Sequence, residues 1–138
     1  MPKRDTYHDA VREALIKDGW TITHDPLVLT YGERAVFVDL GAEGPLGAEK
    51  AGRKIAIEVK SFTGPSVVTA LEQSLGQFRF YRFLLTRQEP DRILYLGVPA
   101  DAYASAFQKP EGGDLIESED LRILVFDPLK GAVSQWIR

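Results

Sequence analysis

The segment Lys54-Ile55-Ala56-Ile57-Glu58-Val59-Lys60 alternates strictly, and it constrains the fold of this 138-residue chain more than any other stretch. Successive side chains on a strand point to opposite faces. Ile55, Ile57 and Val59 therefore share one face, and Ala56, Glu58 and Lys60 the other. The pattern predicts a strand with one buried face and one chemically loaded face, on which an acid and an amine stand side by side.

The flanking elements follow from periodicity and punctuation. Tyr7, Ala10, Val11, Ala14 and Leu15 keep helical spacing, Thr6-Tyr7-His8-Asp9 resembles a capping box, and Gly19 is a natural stop, so a helix is predicted over 6–18. Residues 20–30 and 35–40 read as two strands of a hairpin around Tyr31-Gly32-Glu33. Residues 41–53 read as a loop longer than the usual hairpin connection of about 2–5 residues. Gly64-Pro65-Ser66 opens the longest helix, with Val68, Leu71, Leu75, Phe78 and Leu85 on its apolar stripe. Residues 92–98 and 121–126 read as strands, 99–107 as a short helix, 109–119 as a connection, and 133–137 as a short edge strand. A right-handed crossover through the long helix makes the 92–98 strand parallel to its neighbours, giving a mixed sheet with helices on its faces. The length fits one domain spanning 1–138, and a domain of about 150 residues buries roughly 68–70% of its unfolded surface.

Composition narrows the chemistry. The chain has no cysteine, which excludes disulfide frameworks, thiolate metal sites and cysteine nucleophiles, and which fits a reducing cytosol. Its two histidines, His8 and His24, cannot form a zinc site alone, and His24 has no identifiable partner. Any metal would need oxygen ligands. Met1-Pro2-Lys3-Arg4-Asp5 carries no apolar run, and no later stretch could span a bilayer, so a cytoplasmic protein without membrane contact is expected. The net charge of −3 argues against broad, salt-driven nucleic-acid binding, although Arg79, Arg82 and Arg87 on the long helix form a local basic group.

Asp39 gives the loaded face its meaning. A lone Glu-x-Lys triplet on a strand is most often a solvated face, but aspartate is disfavoured in strands and here interrupts Val36-Phe37-Val38-Asp39-Leu40. If 34–40 pairs with 54–60, Asp39 and Glu58 converge, and with the Val59 carbonyl they supply hard oxygen ligands suited to Mg²⁺ or Mn²⁺. Such a metal would activate water for phosphodiester hydrolysis, with Lys60 steadying the developing charge. Asp39, eighteen residues, then Glu58-Val59-Lys60, set between two helices, resembles the PD-(D/E)XK nuclease superfamily, apart from Val38 where a proline often precedes the aspartate. Gln77 and Tyr81, four apart on one helix face, are similar to the Gln-x-x-x-Tyr pairs of RecB-like members, which the resemblance makes supports of the site. His8 stands where many of these nucleases carry a glutamate that assists the metal, with Glu13, Asp9 or Asp5 as alternatives in another helix register.

A more extended resemblance runs through Asp18-Gly19-Trp20-Thr21-Ile22-Thr23-His24-Asp25-Pro26, Asp39-Leu40-Gly41-Ala42-Glu43, Ala48-Glu49-Lys50, Ile57-Glu58-Val59-Lys60-Ser61-Phe62, Gly64-Pro65-Ser66, Leu75-Gly76-Gln77-Phe78, Tyr81-Arg82 and Glu89-Pro90-Asp91-Arg92. These segments look like the XisH family. The resemblance implies a restriction-endonuclease-like three-layer α/β fold with an α-β-β-β-α-β core, and a cyanobacterial role in controlling excision of the fdxN element in heterocyst development. It further implies work alongside a recombinase and a small XisI partner, with DNA met through that complex. Two functions follow: an accessory factor that keeps the scaffold and acts through XisI, or an active metal-dependent endonuclease with Asp39, Glu58, Lys60, Gln77 and Tyr81 as its catalytic set. A homo-oligomer is compatible with either.

Overall fold

Strand Lys54–Val59 lies near the middle of a six-stranded sheet, and its alternation explains why the sheet is covered on both faces. The computed structural model describes residues 6–44 and 52–137. In chain order the elements are α1 (His8–Lys17), β1 (Thr21–His24), β2 (Leu27–Tyr31), β3 (Arg34–Val38), β4 (Leu40–Glu43), β5 (Lys54–Val59), α2 (Val67–Gln88), β6 (Arg92–Pro99), α3 (Ala100–Phe107), α4 (Pro110–Ser118), β7 (Ile123–Asp127) and β8 (Ala132–Ile137). The main sheet runs β1-β4-β5-β6-β7-β8, with β5, β6 and β7 parallel and the outer pairings antiparallel. The mixed sheet and the parallel crossover through α2 agree with the sequence reading.

Alternation sorts the core into two layers. Ile55, Ile57 and Val59 join Tyr95, Leu124 and Phe126 under Val11 and Leu15 of α1. Ala56 joins Leu94, Leu96, Val98, Ile123 and Val125 under Phe78 and Leu85 of α2, with Phe107 and Ile116 from α3 and α4. The result is a three-layer α/β domain. The second face of β5, expected to be only chemically loaded, is therefore buried too, and Glu58 is left 7% exposed. Energetics allow this. Burying Ile55, Ile57 and Val59 yields about 1.5–3 kcal/mol each, which together offsets the several kcal/mol lost on desolvating one carboxylate.

Several local expectations are corrected. Residues 20–30 are not one strand: β1 ends at His24 and β2 starts at Leu27, because Pro26, which follows a cis peptide bond, has no N–H for a ladder. β2 pairs with β3 as a separate two-stranded sheet, so the hairpin forms from the later half of the first predicted strand. Pairing with β5 falls to β4 rather than to 34–40, and starts at Leu40↔Ile57. The predicted loop 41–53 thus begins as strand, while 45–51, Ala48-Glu49-Lys50 and Asp5 lie outside the described residues.

The helices bring three further corrections. α1 is capped at Tyr7 with no side-chain bond, so the Thr6 capping box does not form, whereas Gly19 (φ 96°) ends the helix as expected with the Trp20 N–H on the Leu15 carbonyl at 2.9 Å. Val68 is exposed rather than on the apolar stripe of α2. Residues 110–118 are helical rather than a connection: Pro110 sits in the first turn and Ile116 faces the core, while Gly112-Gly113 hides the periodicity in sequence.

Candidate functional site

Asp39 occupies the bend between β3 and β4, where the chain leaves the hairpin for the main sheet. The β4–β5 ladder ends at Leu40↔Ile57, and the next β5 N–H facing that side belongs to Val59. A carboxylate can stand in for a missing backbone acceptor. Asp39 Oδ2 does so, accepting from the Val59 N–H at 2.7 Å. In return the Asp39 N–H donates to Glu58 Oε1 at 3.3 Å, so one carboxylate is latched by the Val59 N–H and the other by the Asp39 N–H. The N–H and C=O of one strand residue point the same way, which turns the Val59 carbonyl toward Asp39 as well. Lys60 points its N–H the other way, to the Gly97 carbonyl at 2.9 Å.

The electrostatics are those of a crowded acid pair. Burial pushes the Glu58 carboxyl from 4.5 up to about 8, and the negative charge of Asp39 adds to the rise. Lys60 acts in the opposite direction, with Nζ 3.8 Å from Glu58 Oε2. Tyr81 on α2 is pushed up to about 12, first by burial and then by the negative charges of Glu58 and Asp39. Gln77 lies one turn earlier on the same face of α2. Its Oε1 is buried without a hydrogen-bond partner.

Asp39, Glu58, Val59 and Lys60 are thus brought together, while Tyr81 and Gln77 share a face of α2, the helix that packs over the Ala56 face of the sheet. His8 and Glu13 belong to α1, which covers the face of the sheet opposite to the side chains of Glu58 and Lys60. His8 is 3% exposed and its Nε2 meets Asp25 Oδ1 at 2.7 Å, while Arg12 Nη1 donates to Asp25 Oδ2 at 2.6 Å. The Glu13 carboxylate sits beside Gly131 in the β7–β8 turn. Of the basic group on α2 only Arg82 is drawn inward, donating to the carbonyls of Glu119 and Asp120 and lying over Phe78, whereas Arg79, paired with Glu119, and Arg87, over the exposed Phe83, stay at the surface.

The donor set fits a hard divalent cation. Mg²⁺ is commonly held by one or two carboxylates and keeps several waters, so it does not require a cage of protein ligands. Among the described residues no three His, Cys, Asp or Glu side chains gather as such a cage. Asp39, Glu58 and the Val59 carbonyl are the ligands that would hold the ion, and the mutual repulsion that raises Glu58 is what a cation between them would relieve. Reading the sequence missed the polar wall that follows Lys60. Its signal was there in the hydroxyl-rich run Ser61, Thr63, Ser66, Thr69 and Ser74.

A mixed sheet between helical layers, with an aspartate–glutamate–lysine group at the end of its central strands, defines a three-layer α/β domain with an acid pair whose Glu58 is buried and whose Asp39 is half-buried. Residues 1–134 match the XisH family, described as XisH protein, and the chain belongs to that family. A solved XisH family protein from Nostoc punctiforme is 38% identical, with 97% of this chain and 100% of that one covered and a TM-score of 0.86. A solved protein from Anabaena variabilis, described as an fdxN element excision controlling factor, is 40% identical, with coverage of 98% and 100% and a TM-score of 0.87. No curated protein matches the chain.

Proposed function

We propose that this protein is an accessory factor controlling programmed excision of a DNA element, built on a restriction-endonuclease-like domain of the PD-(D/E)XK kind and working with an XisI-like protein. The excision role is supported by the 40% identity to the Anabaena variabilis excision controlling factor. The domain assignment is supported by one observation above the rest: Asp39 and Glu58, far apart in sequence, are latched together beside Lys60, the Asp39 N–H on Glu58 Oε1 and the Val59 N–H on Asp39 Oδ2. Asp39, Glu58 and the Val59 carbonyl are the proposed ligands of Mg²⁺ or Mn²⁺. When bound, such an ion would polarise a phosphodiester oxygen and lower the pKa of a water. Asp39 would orient the Val59 carbonyl through its bond to the same residue's N–H, and Lys60 would offset negative charge gathering over the acids.

Retention of Lys60 within 3.8 Å of Glu58 favours a second reading, an active metal-dependent DNA endonuclease. Excision assayed with the XisI-like partner and the Asp39→Ala plus Glu58→Ala double variant separates the two. Retained excision is the result expected of the accessory factor. Lost excision with intact partner binding, together with Mn²⁺-dependent nicking of plasmid DNA that vanishes in Lys60→Ala, would establish the endonuclease instead. Failure of the wild-type chain to bind Mn²⁺ in isothermal titration would remove the metal site from both.

A further inference from the structure

Beyond Lys60 the chain turns away from the sheet and encloses, with the first turns of α2, an open cavity of about 420 Å³. That volume falls near the lower end of the roughly 300–1,000 Å³ typical of small-ligand sites, which suits one nucleotide unit rather than a duplex. The polar side chains on its wall are the hydroxyls of serines and threonines, the Gln73 amide and the Lys60 ammonium. Among the described residues no aspartate or glutamate lines it. Such a wall suits an anion. Each hydroxyl has one proton to donate, and Ser74 Oγ spends its own on the Ala70 carbonyl at 2.7 Å, so the other hydroxyls of the wall carry the donation. Ser66 Oγ, for instance, accepts from the Thr69 N–H at 3.1 Å and retains its own proton for donation.

Two features tie the cavity to the acid pair. Lys60 stands on its wall and also 3.8 Å from Glu58, so one ammonium serves both places. Phe62, also on the wall, takes a left-handed φ of 58° that a bulky residue rarely adopts, and its ring is held edge-on against Phe107 with centroids 6.1 Å apart. A conformation costing about 1–3 kcal/mol is retained only where the surroundings enforce it. The loop is thereby held in one shape next to Lys60.

We propose that this cavity is a subsite for a phosphodiester of a nucleic-acid strand, seating the nucleotide next to the one that faces Asp39 and Glu58. The proposal rests on the PD-(D/E)XK reading above and adds to it where the strand runs. Gln73 provides the test, because it is exposed on α2, lines the cavity and lies outside the acid pair. Gln73→Glu puts a negative charge on the wall with almost no change of shape, and Gln73→Lys puts a positive one there; both residues form helices well.

The full chain is titrated with a fluorescein-labelled single-stranded oligothymidylate in Ca²⁺ at about 0.1 M salt, read by anisotropy, with Mn²⁺ affinity measured separately by calorimetry. One phosphate contact on a single strand changes log K by about −0.7 per decade of salt, which amounts to about fivefold between 1 M and 0.1 M. Gln73→Lys is expected to tighten binding about fivefold and to steepen the salt slope, and Gln73→Glu to weaken binding by a similar factor, with Mn²⁺ affinity unchanged in both. Equal affinity in all three proteins, or no oligothymidylate binding by the wild type, would overturn the subsite even if Mn²⁺ binds. Displacement of the strand by millimolar inorganic phosphate would overturn it too, since an isolated anion would then be the ligand. Loss of Mn²⁺ binding in the wild type would instead strike the acid-pair reading, with the opposed Gln73 effects still judging the cavity.

Discussion

Replacing Glu58 by glutamine keeps the shape of the side chain and the acceptor for the Asp39 N–H, and removes a carboxylate that burial and Asp39 make hard to ionise. The sign follows from linkage. A carboxyl raised from 4.5 to about 8 holds its proton more tightly in the folded chain, so the contribution of Glu58 to stability is fully present below pH 4.5 and is lost as pH rises toward about 8. Over that window the wild type should lose about 1.4 kcal/mol per pH unit relative to Glu58→Gln. At pH 7 the accumulated difference is about 3 kcal/mol, and it levels off near 4–5 kcal/mol above pH 8. The assay is urea unfolding in EDTA at half-unit steps from pH 4 to 9, read by far-ultraviolet circular dichroism. The gap between the two stability curves should open in favour of the variant as pH rises. Mn²⁺ should then stabilise the wild type at pH 8, by about 2.7 kcal/mol at 100 times its dissociation constant, and leave the variant much less affected. Parallel curves across the whole range would refute the burial of an ionisable Glu58 against Asp39. A gap that opens toward low pH would refute it more strongly.

Three further outcomes follow from the packing. Arg92 is 6% exposed and donates to the Ile55 carbonyl at 2.9 Å and to Glu89 Oε1 at 3.1 Å, so Arg92→Met should lower unfolding free energy by about 3 kcal/mol in denaturant titrations. A Cβ on Gly112 would fall 2.3 Å from the Phe107 carbonyl oxygen, whereas one on Gly113 meets nothing within 4 Å. Gly112→Ala should therefore destabilise by about 1–3 kcal/mol and Gly113→Ala should stabilise by about 0.5–1 kcal/mol, a contrast that thermal melts resolve. Arg82 is occupied by the carbonyls of Glu119 and Asp120, so Arg82→Ala should cost about 1–2 kcal/mol of stability while changing oligothymidylate binding less than twofold by anisotropy.

The sequence alone determined the elements whose signals are local. The alternation of 54–60, the stripe from Leu71 to Leu85 and the aliphatic runs at 92–98 and 121–126 carry their periods within a few turns, and each appears in the structure as β5, α2, β6 and β7. The candidate acids were legible because an aspartate in an apolar run and a glutamate on a strand are locally out of place. Whether they meet was not. Asp39 reaches Val59 only because the chain changes sheets at residue 39 and β4, not β3, pairs with β5, and that choice depends on non-local pairing that period-two patterning does not encode. For the same reason the burial of Glu58 came from elsewhere: α2, whose own sequence says only that one stripe is apolar, settles onto the face that β5 reserves for Ala56 and Glu58. Helix α4 stayed hidden because Gly112-Gly113 weakens its local preference, and only contact with Phe107 and the core restores it.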